Sequence, residues 1–206
     1  IVCECDVSSE QDVRRSIQMT ADKLGGIHIV VNNAGMVQVK PLHEYTDEEW
    51  DYLMAVNVKS MFYSVKHALP FLKAHRQSHV VNVGSISSFV GQATTPAYTT
   101  SKHAVLGLTR SIALDYAADG VLCNCVCPGI TLTPMLQEHL DKTGDARAAL
   151  HTRLTRVPLG RALTPEDVAR SILYFSSDDS AGVTGTSLVV DAGYLTAAEW
   201  QTVNIK

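Results

Sequence analysis

Residues 27–35 read IHIVVNNAG, an apolar run that ends in small side chains. The run from Ile27 to Val31 has the length and the β-branched composition of a buried strand. The following Asn32-Asn33-Ala34-Gly35 carries no large side chain, which suits a place where the backbone closely approaches another group. Continuous apolar strands of this kind are typical of parallel sheets that are covered on both faces. The stretch therefore predicts an α/β fold.

The segments on either side of this strand alternate between predicted strands and helices. Further strands are predicted over 79–83, 121–127 and 187–190. Helices are predicted from Ser8 to about Leu24, from Thr46 toward Leu72, from Tyr98 to about Ala118, and from Thr164 onward; 85–96 is predicted to be a loop and the stretch from 128 to Leu163 to be irregular. This alternation predicts one doubly wound parallel sheet in three layers, α/β/α, with right-handed crossovers, over residues 1–206.

Tyr98 and Lys102 are the first residues whose spacing suggests chemistry. They lie four positions apart on a predicted helix and therefore share one face. A phenol titrates near about pH 10, and a neighbouring ammonium favours its ionised form. Ser85 follows the strand 79–83, so we expect its hydroxyl at the carboxyl end of the sheet, where open α/β folds bind ligands. The three side chains could surround one carbonyl or carbinol oxygen, although the tyrosine and lysine spacing alone is more often an ordinary helix pair.

Two further motifs occur in the same order along the chain. Asn57 lies inside the long helix that Thr46 opens, and a P-G-x-x-x-T pattern, Pro128 to Thr133, follows the strand 121–127. Taken together with N-N-A-G, Ser85 and Y-x-x-x-K, these motifs resemble the classical short-chain dehydrogenase/reductase family over nearly the whole chain. The resemblance implies a Rossmann-like fold.

The resemblance also implies a role for each residue of the predicted catalytic set. Tyr98 would exchange a proton with the substrate oxygen while a nicotinamide exchanges hydride with the adjacent carbon. Lys102 would lower the pKa of Tyr98 and hydrogen-bond the nicotinamide ribose, and Ser85 would hold and polarise the oxygen. Asn57 would position a water through its main-chain carbonyl; the alternative is a polar residue that disturbs its helix locally.

The implied cofactor is NAD or NADP, with NAD slightly favoured. Its predicted contacts, besides Tyr98 and Lys102, are Asp6, Val7, Asn33, Ala34, Gly35, Pro128, Gly129, Thr131 and Thr133. Asp6 has an alternative interpretation as a solvated charge or a helix cap just before Ser8. The residue that separates NAD from NADP follows a strand that we do not find in this sequence.

The family's N-terminal glycine-rich turn, T-G-x-x-x-G-x-G, has no counterpart in the sequence. Residues 1–7 resemble the family's third strand, which ends in a D-V pair. We therefore expect the native protein to carry about two more βα units ahead of Ile1, if one unit takes roughly thirty residues. Ala192 is a second departure, at a position where family members often have the second glycine of D-G-G.

Substrate contacts are predicted around the loop after Ser85 and around the P-G-x-x-x-T segment. The predicted residues are Ser85, Ser87, Gln92, Leu132 and Met135. Four arginines between 147 and 161 leave an anionic substrate open, although scattered arginines on a surface segment are more often solvated. We expect a small alcohol or ketone.

Composition limits the partners and the compartment. The formal net charge of −4 gives no nucleic-acid footprint, and no apolar run approaches the length of a membrane span. Cys123, Cys125 and Cys127 alternate along one strand, about 7 Å apart, which is too wide for a disulfide or a shared metal without distortion. A zinc site that includes Cys3 and Cys5 is the alternative to packed thiols in a reducing cytosol. The eight histidines form no ligand motif, so we predict no metal site and a cytoplasmic protein.

The sequence thus predicts an NAD(P)-dependent oxidoreductase that interconverts a secondary alcohol and a ketone. The alternative is a non-catalytic or truncated member of the same fold with a regulatory or scaffold role. A serine hydrolase is not supported, because Ser85 lacks the G-x-S-x-G elbow. The resemblance further implies a homotetramer formed through the helices of Asn57 and Tyr98 and through the last strand, and Trp200 could reach an adjoining subunit.

Overall fold

Four parallel strands form the centre of the fold in the computed structural model, which describes residues 1–196. The strands are β1 (Ile29–Asn32), β2 (Ser78–Val83), β3 (Val121–Pro128) and β4 (Ser187–Val190), and they lie side by side in that order. All three neighbouring pairs are parallel. The residues predicted to form these four strands do so to within two residues at each end.

Seven α-helices connect and cover the strands in the described part of the chain. They are α1 (Glu10–Leu24), α2 (Asp47–Met54), α3 (Ser60–Leu72), α4 (Pro96–Tyr116), α5 (Pro134–Asp141), α6 (Ala146–Leu154) and α7 (Pro165–Phe175). A π-helical turn, Ala55–Lys59, joins α2 to α3, so the predicted long helix from Thr46 toward Leu72 is continuous but locally widened.

Helix starts follow local hydrogen bonds that the sequence predicts. The Thr46 hydroxyl accepts from the Glu49 N–H while the Glu49 carboxylate accepts from the Thr46 N–H, which is a complete capping box. Thr164 and Asp167 form the same box ahead of α7, with Pro165 at the first helical position. These caps satisfy N–H groups that a helix start leaves without partners.

The hydrophobic core lies on both faces of the sheet, which confirms the predicted α/β/α layers. One cluster packs α1, α3 and α4 against Val80 and Cys123, and another packs α7 against Val81 and Val126. Neighbouring residues of one strand serve opposite faces because side chains alternate along a strand. The inner strand β2 is buried along its whole length.

Two predictions about the fold are wrong. Residues 1–6 form no strand, and Ile1 and Val2 are 70% and 98% exposed, because no strand among residues 1–196 pairs with this segment. The stretch expected to be irregular contains α5 and α6, whose N-caps are Thr133 and Asp145. Each of these side chains accepts a hydrogen bond from a backbone N–H of the first turn. Trp200 lies outside the described residues. Within residues 1–196 no helix has the length and apolar character needed to cross a membrane.

Gly120 supports the turn at which α4 passes into β3. Its φ is +76°, and its carbonyl accepts from the Ser78 N–H at 3.0 Å, which starts the pairing of β2 with β3. A Cβ added at Gly120 would lie 2.4 Å from the Arg76 carbonyl oxygen. The turn therefore needs glycine both for its backbone conformation and for space.

We predict that Gly120→Ala lowers the free energy of unfolding by more than the roughly 1–2 kcal/mol that a left-handed alanine costs. Gly144→Ala is the matched control, because Gly144 has φ +83° and no atom within 4 Å of an added Cβ. The control should show the conformational cost alone. Urea unfolding of both variants measures the difference, and equal losses would contradict the close contact with Arg76.

Candidate active site

Ser85 stands at the carboxyl end of β2, in extended conformation with φ −169°. Its hydroxyl accepts a hydrogen bond from the Ser87 N–H at 3.1 Å, and its own N–H donates to Ser88 Oγ at 3.2 Å. The Ser88 hydroxyl in turn donates to the Lys102 carbonyl at 2.8 Å. The loop after β2 is thereby tied to α4, and the Ser85 hydroxyl keeps its own proton available for donation.

Tyr98 and Lys102 lie on the first turns of α4, on the face that packs over the end of β2. Lys102 Nζ is 5.6 Å from the centre of the Tyr98 ring and donates to the Val83 carbonyl at 2.8 Å. Lys102 is only 4% exposed. Since Val83 lies two residues before Ser85, the serine, the phenol and the ammonium meet at one end of the sheet, as the sequence predicts.

The pKa of Tyr98 departs from its ordinary value in the direction opposite to the prediction. Burial raises the pKa of Tyr98, the Ser85 side chain acts against this, and charge on Cys127 adds to the increase. Burial also lowers the pKa of Lys102 to about 8. The prediction that Lys102 lowers the pKa of Tyr98 is wrong for this structure, because desolvation of the phenol dominates. Tyr98 is therefore a protonated phenol at neutral pH.

Asn57 lies in the π-helical turn and is fully buried. Its side-chain oxygen accepts from the Met36 N–H at 2.8 Å, and its amide donates to the Met36 carbonyl and to Ser101 Oγ. The Ser101 hydroxyl donates to the Tyr98 carbonyl at 2.7 Å. The Asn57 side chain thus joins the loop after β1 to the helix that carries Tyr98. A π turn inside a helix is often found at functional sites.

The N-N-A-G segment reaches the same place. A Cβ added at Gly35 would lie 3.4 Å from Asn57 Oδ1 and 3.7 Å from Lys102 Nζ. Asn33 and Ala34 are exposed and leave this side of the site open. Glycine at position 35 therefore keeps free space next to the buried ammonium.

The P-G-x-x-x-T segment closes the opposite side of the sheet end. A Cβ added at Gly129 would lie 2.8 Å from Asp191 Cα, so only glycine fits between β3 and the end of β4. Thr131 Oγ1 donates to the Gly129 carbonyl at 3.1 Å, while Thr133 Oγ accepts from the Leu136 N–H at the start of α5. Pro128 is the last residue of β3. Both threonine hydroxyls thus have local partners.

Asp6 forms local hydrogen bonds just before α1. Its carboxylate accepts from the Ser8 N–H at 2.9 Å and from the Ser8 hydroxyl at 2.7 Å, and these bonds lower the pKa of Asp6. The side chain therefore forms a local turn ahead of α1. Val7 is half-buried beside it. Adenine contacts of Asp6 and Val7 stay a prediction.

The predicted substrate residues fall into a polar and an apolar group. The buried Ser87 hydroxyl donates to Gln92 Oε1 at 3.1 Å. Leu132 and Met135 are 46% and 39% exposed, as befits side chains available for contact. A separate groove is lined by residues of α2, of the π-helical turn, of α3 and of α4.

The arginines proposed for an anionic substrate are partly engaged in other contacts. Arg161 pairs with Asp167 at 2.7 Å, and the guanidinium of Arg156 lies 5.1 Å from the centre of the Tyr194 ring. The pair with Asp167 joins the capping box of α7, which gives Arg161 a structural explanation.

The cysteines of β3 lie closer together than expected. Cys123, Cys125 and Cys127 are all fully buried, and the sulfurs of Cys125 and Cys127 are 3.6 Å apart. The separation of about 7 Å is wrong for the sulfur atoms, because the two side chains lean toward each other. Within residues 1–196 no group of three or more His, Cys, Asp or Glu side chains could hold a metal ion.

The sequence motifs do not identify two serines of the site. Ser88 links Ser85 to α4, and Ser101 links Asn57 to Tyr98. Both lie three residues after a motif residue, which is the spacing of a side chain that bonds back to the backbone. That spacing is the only signal by which the sequence could have indicated them.

Comparison with known proteins gives consistent matches over most of the chain. A family model described as Enoyl-(Acyl carrier protein) reductase matches residues 1–195. Dehydrogenase/reductase SDR family member 6 of Rattus norvegicus is 37% identical over 182 residues, which is 88% of this chain and 74% of that protein. D-beta-hydroxybutyrate dehydrogenase of Rhizobium meliloti is 32% identical over 195 residues, 92% of this chain and 76% of that protein.

A solved structure shares the fold closely. The aldohexose dehydrogenase of Thermoplasma acidophilum, in ligand-free form, superposes with a TM-score of 0.90 at 32% identity, over 98% of this chain and 80% of that one. The parallel sheet with helices on both faces is therefore a Rossmann-like α/β fold, as predicted. On sequence and structure alike, this chain belongs to the short-chain dehydrogenase/reductase family.

Proposed function

We propose that this protein is an NAD(P)-dependent oxidoreductase that interconverts a secondary alcohol and a ketone, with Tyr98 as the acid and base. The observation that carries the proposal is the meeting of Ser85, Tyr98 and Lys102 at the carboxyl end of β2. Relatives named as dehydrogenases support the same class of reaction.

Tyr98 and Ser85 would act together on the substrate oxygen. Because burial keeps the phenol protonated, Tyr98 holds the proton that a ketone oxygen needs when the carbonyl is reduced. The Ser85 hydroxyl already accepts from the Ser87 N–H, so it is oriented to donate its proton in a hydrogen bond to that oxygen. In alcohol oxidation Tyr98 would have to act as the phenolate, which takes up the proton that the alcohol hydroxyl loses and becomes the phenol.

Lys102 would supply a fixed positive charge beneath the phenol. Its ammonium is buried and hydrogen-bonded to the Val83 carbonyl, and its pKa of about 8 keeps most of the charge at neutral pH. Free space beside Gly35 would let a ribose hydroxyl approach the same ammonium. Asn57 would help by holding Met36 and Ser101, and we retain for its carbonyl the predicted role of positioning a water.

The residues around this space fit a nicotinamide cofactor, which would supply or accept the hydride. Asn33, Ala34 and Gly35 would face its ribose, and Pro128, Gly129, Thr131 and Thr133 would face its carboxamide end. We favour NAD slightly over NADP.

For the substrate we propose a small secondary alcohol or ketone with an apolar portion. Ser87 and Gln92 would contact its polar part, and Leu132 and Met135 would contact its apolar part, beside the oxygen held by Ser85. Phe89 and Val90, each 40% exposed, extend the apolar surface of the neighbouring loop. The relatives act on D-beta-hydroxybutyrate and aldohexoses, as their names state, which leaves several alcohol classes to test.

We further propose one domain that forms a homotetramer in the cytoplasm. The groove on α2, α3 and α4 is lined by Tyr52, Phe62 and Leu108, and the first two are about half exposed, which suits contact with another subunit. All five cysteines are free, which agrees with a reducing compartment. Size-exclusion chromatography with light scattering would test the tetramer.

We predict that Tyr98→Phe lowers kcat by about a thousandfold, because general acid and base catalysis contributes effects of this order. Affinity for NADH or NADPH should stay within about twofold, since the ring and its packing are retained. Turnover is measured on a panel of secondary alcohols, sugars and hydroxy acids by formation of the reduced cofactor. Cofactor affinity is measured by fluorescence with both nucleotides.

Tyr116→Phe is the matched control, because Tyr116 lies on the same helix and packs against the core. It should leave turnover unchanged. Near-normal turnover of Tyr98→Phe would contradict the mechanism, and cofactor binding by the wild type without turnover on any substrate would favour the non-catalytic alternative.

We also predict that Lys102→Met makes the protein more stable at pH 7 while it lowers turnover. The pKa of Lys102 falls from 10.5 to about 8 on folding, so the unfolded chain binds the proton more tightly. Lys102→Met removes this unfavourable contribution of about 3 kcal/mol. It also leaves the Val83 carbonyl without its partner, which costs roughly 1–3 kcal/mol. We therefore expect the free energy of unfolding to rise by about 1 kcal/mol.

The gain should shrink as pH rises from 8 toward 10.5, because wild-type stability increases across that window as folded Lys102 loses its proton. Urea unfolding at several pH values measures the difference. Lys23→Met, at an exposed lysine, is the control and should show no such trend. A Lys102→Met variant that is less stable than wild type at pH 7 would show that the ammonium stabilises the fold.

A further inference from the structure

The sulfurs of Cys125 and Cys127, hereafter the sulfur pair, lie directly beneath the loop that carries Ser85. They are 3.6 Å apart, fully buried, and packed with Met61 and Val105 on the α4 side of the sheet. The function proposed above gives the pair no role. Buried thiols usually serve as small apolar side chains, so a further role needs specific contacts.

Gly84 makes the first of these contacts. A Cβ added at Gly84 would lie 2.9 Å from each sulfur of the pair, so the glycine backbone rests against both atoms. The Gly84 N–H also donates to the Val126 carbonyl at 2.8 Å. The peptide that leads into Ser85 is thus held between the β3 backbone and the sulfur pair, without space for a side chain.

Ser88 makes the second contact. A Cβ added at Gly84 would also lie 3.0 Å from Ser88 Oγ, so this hydroxyl packs against the same peptide as the sulfur pair. The Ser88 hydroxyl accepts from the Ser85 N–H and donates to the Lys102 carbonyl. The sulfur pair and the group that ties Ser85 to α4 therefore both contact the peptide that leads into Ser85.

We propose that Cys127, supported by Cys125, is a positioning residue that holds Ser85 in place for the reaction of Tyr98. The inference rests on the proposed function, because it assigns Ser85 the task of holding the substrate oxygen. Displacement of the Gly84–Ser85 peptide would move the hydroxyl away from Tyr98. Geometric errors of about 1 Å in such sites can cost about a hundredfold in rate.

Cys123 provides a matched control on the same strand. It is fully buried, faces the same side of the sheet and packs in the hydrophobic cluster with Val80 and Leu72. Its sulfur lies 3.6 Å from the amide nitrogen of Asn82, and that amide belongs to a buried network away from Ser85. Removal of either thiol should weaken packing, whereas only Cys127 should affect Ser85.

The experiment compares Cys127→Ala, Cys127→Ser and Cys123→Ala with the wild type. We expect Cys127→Ala to lower kcat by about tenfold or more and to leave cofactor affinity within about twofold. The limb of the kcat profile assigned to Tyr98 should move to higher pH, because the Ser85 side chain lowers the pKa of Tyr98 and would be displaced. Cys127→Ser should recover most of the rate, since its hydroxyl fills part of the space that the sulfur occupies against Gly84.

Crystal structures of the variants give a readout that does not depend on turnover. Ser85 should shift in Cys127→Ala and keep its position in Cys123→Ala, and thermal unfolding records the packing loss in each. An unmoved Ser85, an unchanged pH limb, or an equal loss of kcat in Cys123→Ala would overturn the inference. A wild type without turnover on any alcohol, with either nucleotide, would instead overturn the proposed function, and the position of Ser85 would still test the contact.

Discussion

A buried ammonium at the end of the central sheet is the constraint on which the rest of this site depends. Lys102 is 4% exposed and has the Val83 carbonyl as its hydrogen-bond partner. Burial of a charge with so few partners is unfavourable, as the lowered pKa of Lys102 records. The fold keeps the charge there because α4 is packed firmly over β2 and β3, and Gly35 leaves space beside it. A loss of folding stability of this kind is common where a functional site needs a charge in a defined place.

A network of short polar side chains fixes the elements around this charge. Ser88 joins the end of β2 to α4, Ser101 joins α4 to Asn57, and Asn57 holds the loop after β1. Each bond connects a different pair of elements, so a displacement of one element disturbs several bonds together. Buried polar networks of this kind specify a single arrangement when all their members are satisfied. The position of Tyr98 relative to Ser85 follows from the network rather than from either residue alone.

Much of the fold could be predicted because its signals are local. The apolar run at 27–31 and the capping boxes at Thr46 and Thr164 act through nearest neighbours, and the corresponding elements form where expected. The segment 1–7 has the same kind of composition as a strand and forms none, since a strand exists only with a partner along its edge. The sequence pattern does not reveal helices α5 and α6, although Thr133-Pro134 and Asp145 are ordinary helix starts, because helices of eight and nine residues are too short to show a sustained apolar period.

The sequence motifs predict which residues form the site, but they do not predict its electrostatics or its side-chain conformations. Motif order predicts which of Ser85, Tyr98 and Lys102 meet, since each is fixed to the end of a strand or the face of a helix. The sign of the Tyr98 pKa shift depends on a balance between desolvation and charge, and that balance changes over distances that no spacing rule specifies. The positions of the sulfur pair are likewise not determined by the sequence pattern. Alternation along β3 places Cys125 and Cys127 on one face, but it leaves their side-chain torsions free. Those torsions bring the sulfurs to 3.6 Å and place them against Gly84, which makes two apolar-looking residues part of the support for Ser85.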